Sequence, residues 1–260
     1  IGANIRFGFS ILDDVRRKFY IPLWNTYNYF VTYAKLHNWN YSEYDVNNVE
    51  NVMDKWIISK VRSLSMDVTK YMDDYNMANS SREIEEFIKD LSQWYIRRSR
   101  DRFKEGDVDA IGTLHYVLLN LSKLLSPFVP FVADEIYTNI VVNLQLEEEK
   151  ESVHVEEYPE FDEDQIDTGL LEKMNIVREI CSNGLKARES ARMSLRQPLS
   201  KAYIGLQEEF VKEIVREELN LRDVEYSKEA PRNDGFVVVG ENDLYVSLDI
   251  NLTQDLKEEG

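Results

Sequence analysis

SSREIEEFIKDLSQWYIRRSRDRFKEGD, residues 80–107, is the stretch on which the reading of the fold turns. Ile84, Phe87, Ile88, Leu91, Trp94 and Tyr95 recur at three- and four-residue spacing, which puts them on one helix face at about 100° per residue. Ser80-Ser81-Arg82-Glu83 has the form of a capping box and predicts a helix start there, and Gly106 offers a stop after Lys104. Arg98 and Arg102, four apart, continue the apolar face at its C-terminal end, while Arg97, Arg100 and Lys104 project to the opposite side. Five of the eight residues from Arg97 to Lys104 are basic, against Asp101 alone. Cations favour a helix C-terminus through the macrodipole, by about 0.3–1 kcal/mol each, which accounts for one or two of them. Five in a row of eight repel one another, so an external anion is the competing reading.

Outward from this stretch the first half reads as long helices with short connections. One runs from about Ser10 to His37, with Pro22 as a kink. A second runs from about Val49 to Tyr75, with Ile57, Val61, Leu64 and Val68 at helical spacing. A fourth, strongly apolar, runs from Val108 to Leu125. Pro127 and Pro130 break it, and a fifth runs from Phe131 to about Leu144. That is a helical bundle over residues 1–145. Residues 147–164 hold ten acidic residues with Lys150 as the one Lys or Arg, and read as a solvated connector (146–167) with a short strand at 152–159. From 168 to 260 the pattern changes to a helix from Thr168 to about Arg192, then a strand (199–205), an amphipathic helix (208–219) and strands at 223–227, 235–240 and 243–250, separated by turn residues. The fold class is therefore mainly α: a helical bundle followed by a small α+β domain.

The net charge of -17 is unevenly shared. Residues 1–145 carry 17 Lys/Arg and 19 Asp/Glu, net -2, whereas residues 146–260 carry 14 and 29, net -15. Screening limits exposed charges to roughly 8–10 Å, so a local arginine patch can hold phosphate in an acidic chain. Guanidinium groups bond phosphate in bidentate fashion and stack on bases, and Trp94 could add a stacking surface of the kind single-stranded RNA uses; its other reading is a core tryptophan. A second basic segment, residues 176–201, has six Lys/Arg against two Glu, including Arg188, Arg192 and Arg196. It reads either as an ordinary amphipathic helix or as a second brace for a polyanion.

Catalytic constellations are scarce. His37, His115 and His154 stand alone, with no ligand partner at i+3 or i+4. Glu83, Glu85 and Glu86 have no neighbouring His for a di-metal helix. There is no phosphate-cradling glycine loop or nucleophile elbow. The single cysteine, Cys181, allows no internal disulfide and fits a reducing compartment, and no apolar run approaches the ~20 residues of a membrane span. The chain opens at Ile1 and closes at Gly260 without evident start or stop signals, which suggests a piece of a longer protein.

The order of the segments resembles a known family. KFYIPLWNTYNYFVTYA (18–34), DKWIISKVRSL (54–64), LSQWYIRRSRDRF (91–103), LLSPFVPFVADEIY (124–137), SVHVEEYP (152–159), GLKARESARMSLRQPLS (184–200) and VSLDINLTQDLKEEG (246–260) are similar, in order, to the C-terminal region of isoleucyl-tRNA synthetases, which are class I aminoacyl-tRNA synthetases. The arginine-rich form of the third segment resembles the archaeal and eukaryotic-type branch. The resemblance implies a tRNA anticodon-binding bundle plus part of a junction domain, in an enzyme that joins isoleucine to its tRNA with ATP and Mg. It implies no cofactor or metal for this chain itself, since the family's nucleotide-binding signatures and editing domain are absent from it. Trp94, Arg97, Arg98, Arg100 and Arg102 become the expected tRNA contacts, with Arg188, Arg192 and Arg196 bracing the tRNA or the junction; on the wheel, Arg98 and Arg102 have the alternative of bracing the bundle end, which leaves Arg97 and Arg100 as the freer RNA contacts. A cytoplasmic monomer that binds isoleucine tRNA, and neither DNA nor membrane, is the expectation. The alternative is a helical protein-interaction module without RNA specificity.

Overall fold

The computed structural model describes residues 8–141 and 150–251. They fall into two compact units, 1–168 and 169–260.

The first unit is built from helices α1 (Phe9–Val15), α2 (Ile21–Leu36), α3 (Val52–Asp73), α4 (Met77–Asp90), α5 (Arg100–Glu105), α6 (Val108–Leu125) and α7 (Pro130–Ile140). α1 and α2 are joined through a π-helical turn, Arg16–Tyr20. Pro22 follows directly, and the wide turn sits where its ring and missing N–H disturb the i→i−4 ladder. α3 starts at Asn51, whose Oδ1 accepts from the Met53 N–H at 2.8 Å, and α6 starts at Asp107, whose Oδ1 accepts from the Ala110 N–H at 3.0 Å. α3 and α6 supply the centre of the core with Trp56, Ile57, Val61, Val68, Ile111 and Leu114, all nearly fully buried. The end expected near Leu144 for the last helix lies outside the described residues.

Two expectations about the opening stretch are corrected. α4 starts at Met77, one turn before the Ser80 box, because Asn76 caps it and accepts from the Asn79 N–H at 3.2 Å. The helix also does not run evenly to Lys104. It widens into a π turn over Leu91–Ile96 and breaks at Ser99 before α5. The extra residue in the wide turn advances the helical phase. The buried stripe thus passes through Leu91, Tyr95, Ile96, Ser99 and Phe103 rather than through Arg98 and Arg102. Gly106 then closes α5 with φ +77°, and a Cβ there would lie 2.5 Å from Nδ1 of His37.

The acidic segment is neither a free connector nor a strand. Residues 150–167 form a strap over the bundle, with single 3₁₀ turns at Val153–Val155 and Glu163–Gln165. The Glu156 carboxylate accepts from the Tyr137 hydroxyl (2.7 Å) and the Lys150 N–H (2.7 Å) and pairs with Lys123 Nζ (2.9 Å). Ser65 Oγ donates to the Pro159 carbonyl, Arg62 Nη1 to the Gln165 carbonyl at 2.9 Å, and the Asp167 N–H to Ser59 Oγ at 3.3 Å. Glu156 is half-buried, whereas Glu151, Glu157, Glu160, Asp162, Glu163 and Asp164 are exposed, so the strap is fastened at a few points while most of its carboxylates face solvent.

The second unit packs α8 (Thr168–Ser190) and α9 (Glu209–Glu218) with a four-stranded sheet of β1 (Leu199–Ile204), β2 (Leu221–Tyr226), β3 (Phe236–Val239) and β4 (Val246–Asp249), in the order β2-β1-β4-β3. β1 and β2 are parallel, with α9 as the crossover, and β4 is antiparallel to both β1 and β3. The strand expected to begin at residue 243 starts at Val246, after a 3₁₀ turn at Asn242–Leu244. Gly184 lets α8 approach Leu219 closely, since a Cβ there would sit 2.2 Å from Leu219 Cδ1.

Candidate nucleic-acid interface

The five cations of the first basic segment are divided by the phase of the helix. Arg102 turns inward. Its Nη1 and Nη2 donate to Asp54 Oδ1 and Oδ2 at 2.8 and 2.6 Å, a bidentate pair, while Nε donates to Asp107 Oδ2 at 2.8 Å. Asp54 is fully buried and also accepts from the Tyr95 hydroxyl at 2.8 Å. Burial works to lower the Arg102 pKa, but bonds to Asp54 and Asp107 outweigh it and push the pKa up. Burial and the Asp54 charge push the Tyr95 hydroxyl well up. Of the two roles open to Arg102, tRNA contact or brace of the bundle end, its bonds are those of the brace: it fastens α5 to α3 and to the start of α6.

Arg98 is half-buried, and Arg97 and Arg100 are exposed. Arg97 Nε donates to the Gln93 carbonyl at 2.8 Å, which lays its guanidinium 6.0 Å from the ring of half-buried Trp94. The π turn accounts for this placement: Trp94, on the apolar face of an even helix, is carried toward the rim of the core. Arg100 makes no side-chain hydrogen bond or salt bridge among the described residues. Its charge acts on the nearby Tyr29 hydroxyl, whose pKa burial raises. Lys104 is held by Asp101 at 2.7 Å. Trp94, Arg97 and Arg100 thus form an aromatic-and-guanidinium step within about two helical turns.

The second basic segment divides in the same way. Arg188 is 2% exposed. Its Nε donates to the Leu219 carbonyl (2.9 Å), Nη1 to Ser194 and Gln197 (2.8 and 3.0 Å), and Nη2 to Leu219 and Asn220 (2.6 and 3.1 Å). Its five donors all end on backbone carbonyls, and burial lowers its pKa. Arg188 is therefore fully engaged within the second unit. It holds the 194–197 loop against the end of α9, with help from Asn220 Nδ2, which donates to the Leu195 and Arg196 carbonyls at 3.0 and 3.2 Å. Arg192 ends α8 in the left-handed region at φ +55°. Both Arg192 and Arg196 are exposed and make no side-chain hydrogen bond or salt bridge among the described residues.

Sequence reasoning did not find Asp54 and Asp107 as partners of Arg102. Asp107 follows the helix-stopping Gly106 and was the available signal; Asp54 lies 48 residues away from Arg102 and left none. The three histidines stay apart from any ligand set, and no group of three or more His, Cys, Asp or Glu able to hold a metal occurs among the described residues. Among those residues, no helix is long and apolar enough to cross a membrane.

Residues 54–204 match the family described as the anticodon-binding domain of tRNA ligase. The chain is 36% identical over 240 residues to the isoleucine–tRNA ligase of Clostridium acetobutylicum and 39% identical over 240 residues to that of Clostridium novyi, alignments covering 90% of this chain and 23% of each relative. To the isoleucine–tRNA ligase of Dehalococcoides mccartyi it is 36% identical over 273 residues, covering all of this chain and 27% of the relative. The chain thus spans about a quarter of the length of these relatives. All three are bacterial and give no support to the archaeal and eukaryotic-type branch.

Proposed function

The chain belongs to the anticodon-binding domain family of tRNA ligases, and from that premise we propose that it is the anticodon-reading part of an isoleucine–tRNA ligase. The observation that carries the reading is the Trp94–Arg97–Arg100 step, where the exposed Arg97 guanidinium lies 6.0 Å from the Trp94 ring and the exposed Arg100 opens α5 just past the break at Ser99. Unstacked bases of an RNA loop bind aromatic and guanidinium planes, each stacked base contributing about 1–3 kcal/mol. Arg98 lies on the same turn and supports the step. Arg192 and Arg196, on the loop fixed by Arg188, are the phosphate contacts of the second unit. Arg102 and Arg188 act as positioning residues behind these surfaces.

The ligation of isoleucine to tRNA with ATP and Mg is proposed for the whole enzyme, as are its cytoplasmic location and monomeric state. No step of it is assigned to this chain, in which no metal-ligand group occurs among the described residues. The relatives' names support isoleucine as the amino acid.

The test is binding of the 260-residue chain to isoleucine tRNA and to a copy with an exchanged anticodon, over a range of salt. The expected result is tighter binding to the unaltered tRNA, with W94A and R97A/R100A reducing that preference by roughly tenfold or more, as the loss of a stacked base requires. Equal affinity for both tRNAs would remove the reading and leave a helical module without RNA specificity.

A further inference from the structure

We propose that the groove beside the Trp94–Arg97 step is a track for the phosphodiester backbone of the same RNA; this rests on the anticodon reading above. The groove has a volume of about 630 Å³ and runs between the Arg16–Tyr20 π turn and α4, where Lys18 faces Arg82, Glu85, Glu86, Lys89 and Gln93. Gln93 joins the two features, since it lines the groove and its carbonyl holds Arg97 Nε at 2.8 Å. A strand whose base stacks at Trp94 therefore has its next phosphates over the groove.

The charges in the groove are arranged for an outside partner. Lys89 stands four residues after Glu85 and three after Glu86, and Arg82 three and four before them. Those spacings close intrahelical ion pairs readily, yet none of these pairs is formed among the described residues. Arg82 Nη1 donates to Asn79 Oδ1 at 3.1 Å instead. Arg17, also on the wall, is engaged by Asp13 and Asp14 at 3.1 and 2.9 Å. Lys18 and Lys89 are exposed and make no side-chain hydrogen bond or salt bridge among the described residues, so they are the two cations whose donors are all open to phosphate, beside Arg82, which is bonded to the neutral amide of Asn79.

The track predicts contacts blind to sequence. In the full chain, K18Q/K89Q should weaken binding of the isoleucine tRNA and its anticodon-exchanged copy by the same factor, about tenfold at low salt. It should also reduce the slope of log K against log salt by about 1.4, two contacts at about 0.7 each for a single strand. K35Q/K150Q removes the same charge elsewhere on the bundle and strap, and should leave the slope alone. An unchanged slope in K18Q/K89Q, or an equal fall in K35Q/K150Q, overturns the track. If R97A/R100A still erases anticodon preference in that case, the reading of the step survives without the groove. Loss of slope in K18Q/K89Q without any anticodon preference in the parent chain keeps the track and sinks the reading.

Discussion

The two basic segments solve one problem in opposite ways. Each commits one arginine to the fold and leaves others at the surface. In the first unit the committed residue, Arg102, is neutralised by the carboxylates of Asp54 and Asp107. In the second, Arg188 has no carboxylate partner among the described residues, and backbone carbonyls from the 194–197 loop and the end of α9 take all five of its donors. A charge pair depends on the ionisation of its anion. A carbonyl cage does not titrate, but it works only if the donors meet their acceptors at fixed angles. The first unit is thus anchored by charge and the second by geometry.

That contrast can be broken most directly at Asp54. D54A leaves the Arg102 charge and the Tyr95 hydroxyl without their shared acceptor, and should cost about 3–5 kcal/mol in urea denaturation. A loss below about 1 kcal/mol would mean that Asp107 alone suffices. R188A should cost somewhat less, about 2–4 kcal/mol, because several carbonyls lose their donor but some regain water. R188K should recover little, since one ammonium cannot span the four carbonyls; full recovery would show that charge rather than fork geometry holds the loop.

Acid sharpens the comparison further. His115 is fully buried against α7, with Nε2 donating to the Ile140 carbonyl at 2.9 Å and Nδ1 without a partner. Burial lowers its pKa to about 4. The neutral imidazole is therefore the folded form, and stability falls as pH drops from about 6.5 toward 4, by roughly 2–3 kcal/mol. H115Q should flatten that limb. The Glu156 carboxyl acts lower in the scale. Burial raises it, but bonds from Tyr137, Lys123 and the Lys150 N–H outweigh that and hold it at about 2. Its contribution is present above the ordinary glutamate range and is lost as pH falls toward 2. His115, Asp107 and Glu156 all belong to the first unit, so acid should unfold that unit while the Arg188 cage persists. Hydrogen exchange at pH 4 showing α8 and α9 opening first would refute this ordering. The smallest expected stability effect is at the surface step: R97A/R100A should change stability by no more than about 0.5 kcal/mol while binding falls, and a larger change would make these arginines structural too.

Periodicity made much of this fold legible. The boundaries of α6 were predicted correctly because apolar spacing and the breaker residues agree at both ends. The Trp94–Arg102 stretch was harder. An even helical wheel places Trp94 and Arg102 on one face, but the π turn at Leu91–Ile96 advances the phase, so Phe103 enters the core and Trp94 moves to its rim. Nothing in the local residues announces that turn. Composition records the exposed charges of the strap at 150–167 but not its attachment to the bundle, because the groups that hold it on α3, α6 and α7 are distant in sequence.

By itself the sequence determined that residues near 97–104 and 186–196 would concentrate cations, and that helices would carry the first and begin the second, since both follow from residue type and spacing along one chain. Which arginine would be buried was decided only by the tertiary structure. Arg100 and Arg102 are alike as residues, and what separates them is whether a carboxylate from elsewhere in the chain arrives within hydrogen-bonding distance. The desolvation of a guanidinium is offset there, and at exposed positions such as Arg100 the charge remains at the surface, where a phosphate can meet it.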